Sequence, residues 1–597
     1  MKKLFTVLFS VLVLSTTAQL FDTTVVGIIQ GNASNYYDTT LSISSYLNFN
    51  DYSRDNFGLI SMGNQGDIRR RLIPTSEYSL QPNLGIDGYF KNYKSAVDLP
   101  YLNVYVPSGG IRFLLGYTKG QMFGLDFTIN PISRLNIYID FQRINSRGRY
   151  FNQENKSDQL NLTTAYFNKK STYFVNGAVS FNNANNIEFG GITDTAAFSD
   201  NTTGNRELIP VNLLYSTSKA RYLDILLQQQ YVILKFMKRE MRGFYDFNYS
   251  FRWQQFASGD SVFTTNALFD EAPIRDSIHF SQANNAAGIL WIMKSDSTSK
   301  ENRIKVGARI YSTRYGNDYL SIAENNSSIF GDFNFKFSKS LRLTADAEMF
   351  FTNDFVGTFS ANGLFVYSLN DEVSISGNAS FSTVRPGYFY QRYISNNFYW
   401  DLDLENINSL KLGGAIQYNG FNLSVNNSTL QNYVYLDQQV MTSQYTETIN
   451  LTEIDLKGNI SLGAHFYLDN RIRYQVTNAT NVIRVPNWIL REVVYYERDI
   501  FKRAARLQTG IEFNYFSSFK SEAYMPALGM MYLQDDISIG NFPYFNFLFN
   551  FRIQEFTFFL RLENITQGLF KYNYYAAPYY PLPDFAFRIG ATWRFFN

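Results

Sequence analysis

The last thirteen residues place the strongest constraint on how this chain can fold. From 585 to 597 the odd positions are apolar up to Phe595, whereas Arg588, Gly590, Thr592 and Arg594 occupy even positions. Such alternation puts the two sets on opposite faces of a strand. One aromatic face and one charged face are what a β-barrel in lipid requires. The sequence therefore predicts an all-β fold, a transmembrane antiparallel up-and-down barrel closed by strand 585–597.

The same alternation recurs through most of the chain. Tight turns such as Gln554–Glu555 alternate with longer polar connections, as periplasmic turns alternate with extracellular loops in such barrels. We count roughly 18–22 strands, and a bacterial single-chain barrel is expected to have an even number. The long connections are predicted at 192–205, 270–285, 387–406 and 430–450.

The number of strands decides which face meets lipid. If about 20 strands turned their apolar faces inward, side chains would have to fill a very wide lumen, which large barrels do not do. The charged faces are therefore predicted to line the lumen. Phe547 and Phe558 are assigned to the lipid side, where Arg should destabilise the barrel, and Asn546 and Asn550 to the lumen, where Arg should be nearly neutral.

Composition excludes several other classes of protein. Hydrophobic residues make up 45% of the chain, yet the mean hydropathy is −0.22, because apolar and polar residues are interleaved. After the N-terminus no apolar run reaches the length of a membrane helix. A net charge of +2 gives no reason to expect nucleic acid as a partner. The absence of cysteine excludes disulfides, thiolate metal sites and a lipidated N-terminal cysteine.

The N-terminus predicts export. Residues 1–18 combine Lys2 and Lys3 with an apolar core and a small-residue end, which is typical of a signal peptide cleaved before Gln19. Export of such strands indicates the bacterial outer membrane. We expect residues 19–83 to form a periplasmic or lumen-inserted segment, in which residues 69–71, three arginines, make a solvated turn or, alternatively, a cationic constriction.

The barrel itself is predicted to span residues 84–597. Its first strands are weakly patterned and are expected at 84–89, 101–106 and 111–117.

Several segments resemble a known family. They are 54–59 (Arg-Asp-Asn-Phe-Gly-Leu), 146–150 (Ser-Arg-Gly-Arg-Tyr), 580–583 (Tyr-Pro-Leu-Pro) and the aromatic C-terminus. Together with the signal peptide they are similar to the putative porin family of Bacteroidota outer membranes. The resemblance spans nearly the whole mature chain, and it implies a barrel fold and an outer-membrane location more firmly than any substrate.

Charged residues on the polar faces are the candidate pore-lining residues. Rings of like charge would select ions, whereas mixed signs pair across strands and stiffen the wall. Pairing is the favoured alternative for this set. The set comprises Lys305, Arg309, Arg342, Asp346, Glu348, Asp455, Lys457, Arg561, Glu563, Arg588 and Arg594.

No constellation for catalysis, metal binding or cofactor binding is found. The two histidines, His279 and His465, are far apart in sequence, and no HExxH, G-x-S-x-G or P-loop pattern occurs. A hydrolase using His465 is conceivable, but a pore-lining role is favoured. We therefore expect no enzyme, no cofactor and no metal.

The leading hypothesis is a porin-like channel for passive diffusion of small polar or amphiphilic solutes. The alternative is a non-catalytic subunit of a secretion or assembly complex, docked through the aromatic loop 388–400. A receptor with a plug is disfavoured, because the segment before the barrel looks short for one. The expected partners are outer-membrane lipid, small solutes and, through the C-terminal strand, the barrel assembly machinery.

Overall fold

The computed structural model describes residues 57–596 except 105, 117–119, 202–203, 238, 270–271, 295–300 and 571, together with 29–30 and 33–34. Twenty-two antiparallel strands form one closed barrel, which confirms the predicted fold and even strand number. The predicted signal peptide, residues 1–18, lies outside the described residues. Within them, no helix is long and apolar enough to cross a bilayer.

The barrel strands are numbered here in chain order. They are β1 Ser108–Gly116, β2 Gln121–Ile132, β3 Leu135–Ser146, β4 Asn155–Phe167, β5 Tyr173–Ile187, β6 Ser216–Phe236, β7 Arg239–Ser258, β8 Ile274–Lys294, β9 Glu301–Gly316, β10 Ser321–Lys336, β11 Leu341–Phe350, β12 Phe359–Ser368, β13 Val373–Val384, β14 Ile407–Tyr418, β15 Phe421–Gln431, β16 Ile449–Ser461, β17 Phe466–Thr477, β18 Trp488–Ile500, β19 Ala505–Phe516, β20 Tyr544–Ile553, β21 Phe556–Glu563 and β22 Ala586–Phe596.

Short elements lie outside the wall. The paired strands are Ile29–Gln30 with Ala33–Ser34, Leu59–Ser61 with Arg69–Arg71, Arg392–Ile394 with Tyr399–Asp401, Tyr433–Leu436 with Thr442–Tyr445, Phe519–Lys520 with Ser538–Ile539, Ala523–Met525 with Met530–Tyr532, and Tyr575–Ala577 with Tyr580–Pro581. The α-helices are Thr195–Asp200, Ser261–Thr264 and Tyr388–Gln391, and the 3-10 turns are Phe90–Asn92, Ala96–Asp98, Arg206–Leu208, Asn353–Phe355 and Phe501–Arg503.

The last strand closes the cylinder, as predicted. β22 pairs with β1 over the register Arg588↔Gly116 to Phe596↔Ser108. Its odd residues face outward, where Trp593 is 55% exposed, and its even residues face inward, where Thr592 is 4% exposed. Apolar side chains therefore cover the outside of the barrel, and the polar faces line the lumen.

Connections differ sharply between the two ends of the barrel. β1 begins and β22 ends at the same end of the barrel. At that end, tight turns such as Gln554–Glu555 join neighbouring strands. At the opposite end the longest connections are residues 188–215, 385–406, 517–543 and 564–585. This asymmetry is that of an outer-membrane barrel with short periplasmic turns and long extracellular loops.

Strands β6, β7 and β8 extend toward the long loops beyond the apolar band. On β6, Lys219 and Arg221 face outward and are exposed, whereas on β8 Ile278 and Phe280 face inward and are buried. The predicted connection 270–285 is therefore wrong, because β8 already begins at Ile274. Beyond the lipid, charged residues lie on the outer face and apolar residues on the inner face, because the outer face meets water and the inner face packs on loops.

The wall also begins later than predicted. The described residues of 84–89 and 101–106, expected as the first strands, contain no strand, and the first barrel strand is β1. Their apolar residues, among them Leu84, Ile86 and Tyr101, are buried in a segment that lies inside the lumen. The arginines at 69–71 do not form a solvated turn either, because Arg69 is 4% and Arg70 0% exposed.

The two faces give a direct test of orientation. Phe547→Arg, on the lipid side of β20, should lower the free energy of unfolding by about 2–4 kcal/mol near the midplane. Asn546 and Asn550 are poor controls because both are buried and hydrogen-bonded, to Glu512 and Gln508. Asn362 is a better one, since it is exposed to the lumen and donates to Asp346. Reversible urea unfolding in lipid vesicles measures both variants. Equal losses for Phe547→Arg and Asn362→Arg would contradict the assignment.

Candidate functional site

Residues 57–104, called the plug segment here, occupy the lumen. The segment starts with the hairpin of Leu59–Ser61 and Arg69–Arg71 and continues largely without regular structure. It contacts the wall around much of its circumference, through these pairs: Val104 with Asn130, Lys94 with Asp140, Pro100 with Thr163, Pro82 with Gln282, Ser76 with Ser409, Glu77 with Lys411, Leu72 with Gln475 and Gln65 with Arg588. The segment that looked too short for a plug therefore crosses the barrel.

Asp224 on β6 is the most elaborate of these anchors. Its buried carboxylate accepts hydrogen bonds from the plug, at 2.5 Å from Ser95 Oγ and 2.8 Å from the Ala96 amide. Wall groups on β6 and β7, namely the side chains of Tyr222, Asn248 and Ser250, donate three more. These five donors hold the carboxylate in place, and the two from Ser95 and Ala96 fix the plug to the wall.

Two of the segments that carry the family resemblance, 146–150 and 580–583, meet the plug hairpin at one place. Ser146 Oγ donates to Asn64 Oδ1 in the plug hairpin at 2.6 Å, and Asn64 Nδ2 donates to the Gln153 carbonyl at 2.5 Å. Gly63, at φ +105°, lies so close to Pro581 that a Cβ would come within 2.5 Å of that carbonyl oxygen. Only glycine combines that positive φ with such an approach. The plug hairpin is therefore clamped between two extracellular loops.

Most predicted pore-lining residues form ion pairs. Lys305 pairs with Asp246 at 2.7 Å, and Arg309 with Glu348 at 2.5 Å. The remaining pairs are Asp455 with Arg473, Arg561 with Glu512, Arg588 with Glu563 at 2.8 Å, and Arg594 with Asp126 at 2.7 Å. These charges stiffen the wall across strands, as the mixed signs indicated.

Three predicted residues have no ion pair within the described part of the chain: Arg342, Asp346 and Lys457 are exposed on the inner face. The candidate set left out four inward carboxylates: Asp126 and Asp140, which alternation places on a polar face, and Asp224 and Glu512. Alternation with Leu223 and Ile225 is the signal that could have placed Asp224 in the lumen.

A second polar cluster ties three extracellular loops together; we call it the loop clasp. The carboxylate of Asp584 pairs with Arg206 at 2.5 Å and with Arg149 at 2.8 Å, and accepts a hydrogen bond from Tyr574. Arg206 also lies 3.5 Å from the ring centroid of Tyr572. Asp584 and Arg206 are only 2% and 4% exposed, so the clasp is shielded from water.

A family comparison agrees with this architecture. The family model described as "Putative porin" matches residues 24–597. This chain belongs to the putative porin family. No curated protein matches the sequence of this porin-family member.

Solved structures with a similar fold are large outer-membrane barrels. The copper transporter OprC is 10% identical, with a TM-score of 0.61 over 90% of this chain and 94% of its own. The ferric enterobactin receptor PfeA of Pseudomonas aeruginosa, in a mutant form with enterobactin, is 9% identical, with a TM-score of 0.59 over 82% and 81%. The siderophore receptor PiuA of Acinetobacter baumannii is 9% identical, with a TM-score of 0.54 over 90% and 92%. At such identity the likeness extends to the fold alone.

Two carboxyl groups, half-buried Asp67 and buried Glu188, interact where the plug of this porin-family member touches the loops. Burial, reinforced by the charge of Glu188, raises the pKa of Asp67 from 3.8 to about 8. Burial likewise raises the pKa of Glu188, whose carboxylate accepts a hydrogen bond from Tyr89 of the plug. The neutral form of Asp67 is therefore favoured at this contact.

Plug docking should weaken as the pH rises. Because the folded-state pKa of Asp67 is raised, its stabilising contribution is complete below 3.8, declines above it and is lost through about 8. Asp67→Asn, which stays neutral, should flatten this dependence. Hydrogen exchange of the plug amides measures this. At each pH, the exchange rate of the unsubstituted protein is divided by that of Asp67→Asn, and the ratio is followed across the pH range. A ratio that does not change with pH would contradict the assignment.

The histidines lie apart from the plug. His279 faces outward on β8, opposite Trp253, and His465 sits in the tight turn after β16, against Tyr496. Among the described residues no group of three His, Cys, Asp or Glu side chains could hold a metal ion.

Proposed function

We propose that this protein is a gated outer-membrane transporter, in which small polar solutes pass only when the plug segment shifts. One observation carries the proposal: residues 57–104 lie inside the lumen and are hydrogen-bonded to the wall on several sides. Twenty-two-stranded barrels are wide enough to need such a plug, whereas smaller porins leave an aqueous channel. The plug therefore controls the path.

The plug contacts the wall in two ways. Ala96, Leu99 and Tyr101 pack on apolar residues of β4 to β6. Other contacts are exposed ion pairs, such as Lys411 with Glu77 at 2.6 Å, where Glu77 is 68% exposed. Water can replace contacts of this kind at little free-energy cost. A shift of the plug can therefore open the lumen without disturbing the barrel's closed hydrogen-bond ladder.

Passive diffusion through an open lumen is the competing proposal. The two proposals differ in the behaviour of the intact protein in a planar bilayer. A gated transporter should rest at a closed level with brief openings, whereas an open porin should show a steady conductance at all times. A steady, large conductance of the full mature chain would overturn the gating proposal and favour passive diffusion.

The fold neighbours support the architecture and no particular solute. OprC is described as a copper transporter and PiuA as a siderophore receptor, but similarity at this level of identity carries neither substrate to this chain.

A docking role in a larger machine has weaker support. The aromatic loop that suggested it packs into the loop core, with Tyr388, Phe389, Tyr393 and Trp400 all buried. Affinity purification in a gentle detergent tests this alternative, since a stable complex would favour it. We further propose that the protein has no catalytic role, that residues 1–18 direct export, and that strand 585–597 is recognised by the barrel assembly machinery.

A further inference from the structure

A large cavity lies between the plug and the wall strands β6 to β9. Its volume is about 790 Å³, within the range of small-molecule sites. Wall residues from neighbouring strands, among them Asn248, Arg252, Gln282 and Asn284, form one side, and the plug and extracellular loops form the other. The cavity is mostly polar, with aromatic rings such as Tyr222 and Phe280 beside the polar groups.

The cavity carries an excess of positive charge. Eight basic side chains but only five carboxylates line it. Wall cations such as Lys305 are neutralised by their own partners. Asp87 of the plug, in contrast, is shared by Lys91 at 2.9 Å and Arg71 at 3.7 Å, and Arg252 adds a third cation near it. Glu522, which also lines the cavity, is a second carboxylate near Lys91. Two carboxylates therefore face these three cations, and this corner favours an anion.

Arg252 is the best placed of these cations. It lies beside two rings, 5.6 Å from the centroid of Phe90 and 5.5 Å from that of Tyr222. Within the described residues it makes no ion pair, and its buried Nε has no hydrogen-bond partner. An unpaired donor that faces a cavity is a group that a ligand or a water molecule can satisfy. A guanidinium held in this way offers a ready fork for a carboxylate.

A matching acceptor lies farther along the same wall. Asn284 Oδ1 is buried without a hydrogen-bond partner in the described part of the chain. Asn284 of β8 is paired in register with Asn248 of β7. Asn248 and Arg252 both face inward on β7 and are four residues apart. Four residues of strand span about 14 Å. A ligand that reaches both groups therefore has roughly the length of a disaccharide, with an anionic group at one end and a hydrogen-bond donor at the other.

We propose that this cavity binds a polyhydroxylated organic acid of disaccharide size, with its carboxylate on Arg252 and a hydroxyl donating to Asn284. The sugar-like CH faces of such a solute would pack against Tyr222 and Phe280. The proposal names the substrate class of the transporter and so rests on the proposed function, but binding itself requires no movement of the plug.

Two matched probes test the charge requirement. Lactobionate and lactitol share a galactosyl-polyol skeleton and differ in having a carboxylate or a hydroxymethyl group. Isothermal titration of the full mature chain in detergent should give saturable binding of lactobionate, and an affinity for lactitol at least about tenfold weaker. Equal affinities, or no saturable binding of lactobionate, would overturn the proposal. Neither result would bear on the conductance test of gating.

Variants locate the site. Arg252→Gln should weaken lactobionate binding at least about tenfold and leave lactitol unchanged, whereas Arg252→Lys should keep most of the preference for the acid. Arg342→Gln is the matched control, since it removes a lumenal arginine that does not line the cavity. Heat-modifiable gel mobility reports whether each barrel is folded. Equal effects of Arg252→Gln and Arg342→Gln in folded barrels would overturn the assignment.

Discussion

Removing residues 19–104 should convert the resting protein into a pore of very high, steady conductance. The deletion takes away the whole plug segment but none of the barrel strands, whose ladder begins at Ser108. Because barrels of 16–18 strands already leave an aqueous channel, the emptied cylinder of 22 strands should conduct more than such porins. Single-channel recording in a planar bilayer measures the change.

A shorter deletion provides the control. Removing only residues 19–56 leaves the plug segment and its anchor at Asp224 in place, so the variant should stay at the closed level. Asp224→Ala in the full chain should lie between the two, with more frequent openings, because the plug loses two of its hydrogen bonds. If the long deletion conducted no better than the short one, the plug segment would not be the barrier.

Asp584→Ala should have the largest effect on the extracellular loops. The substitution removes the partner of two arginines in the loop clasp, one of them, Arg206, almost completely buried. Breaking a buried ion pair from one side costs about 3–5 kcal/mol, because an uncompensated charge remains. We expect residues 147–154, 188–215 and 564–585 to open locally while the barrel stays intact.

Hydrogen exchange resolved by peptide measures this local opening. Loop amides should exchange much faster in Asp584→Ala, whereas the amides of β11 to β17 should keep their protection. Asp401→Ala is the matched control, since Asp401 and its partner Arg392, in another extracellular loop, are 45% and 47% exposed. An exposed pair contributes about 0–1 kcal/mol. Equal loop exchange in both variants would contradict the role of the clasp.

The barrel could be predicted because its signal is local. In β20, β21 and β22 each residue's face follows from its parity alone, since lipid covers one side and polar groups the other. Where lipid no longer covers the strand, as at Ile278 and Phe280 of β8, the same rule failed and a strand was taken for a loop. The loops then supply the apolar surroundings, and they come from distant parts of the sequence.

The amino-acid sequence by itself determined the class of fold, the closing role of the last strand and the outward direction of the apolar faces. Each of these follows from a period of two and from the chemistry of the bilayer. Only the tertiary structure decided that residues 57–104 fill the lumen. Their partners, such as Ser409 for Ser76 and Ala576 for Arg70, lie hundreds of residues away. Those contacts depend on a completed cylinder, so no local pattern encodes them.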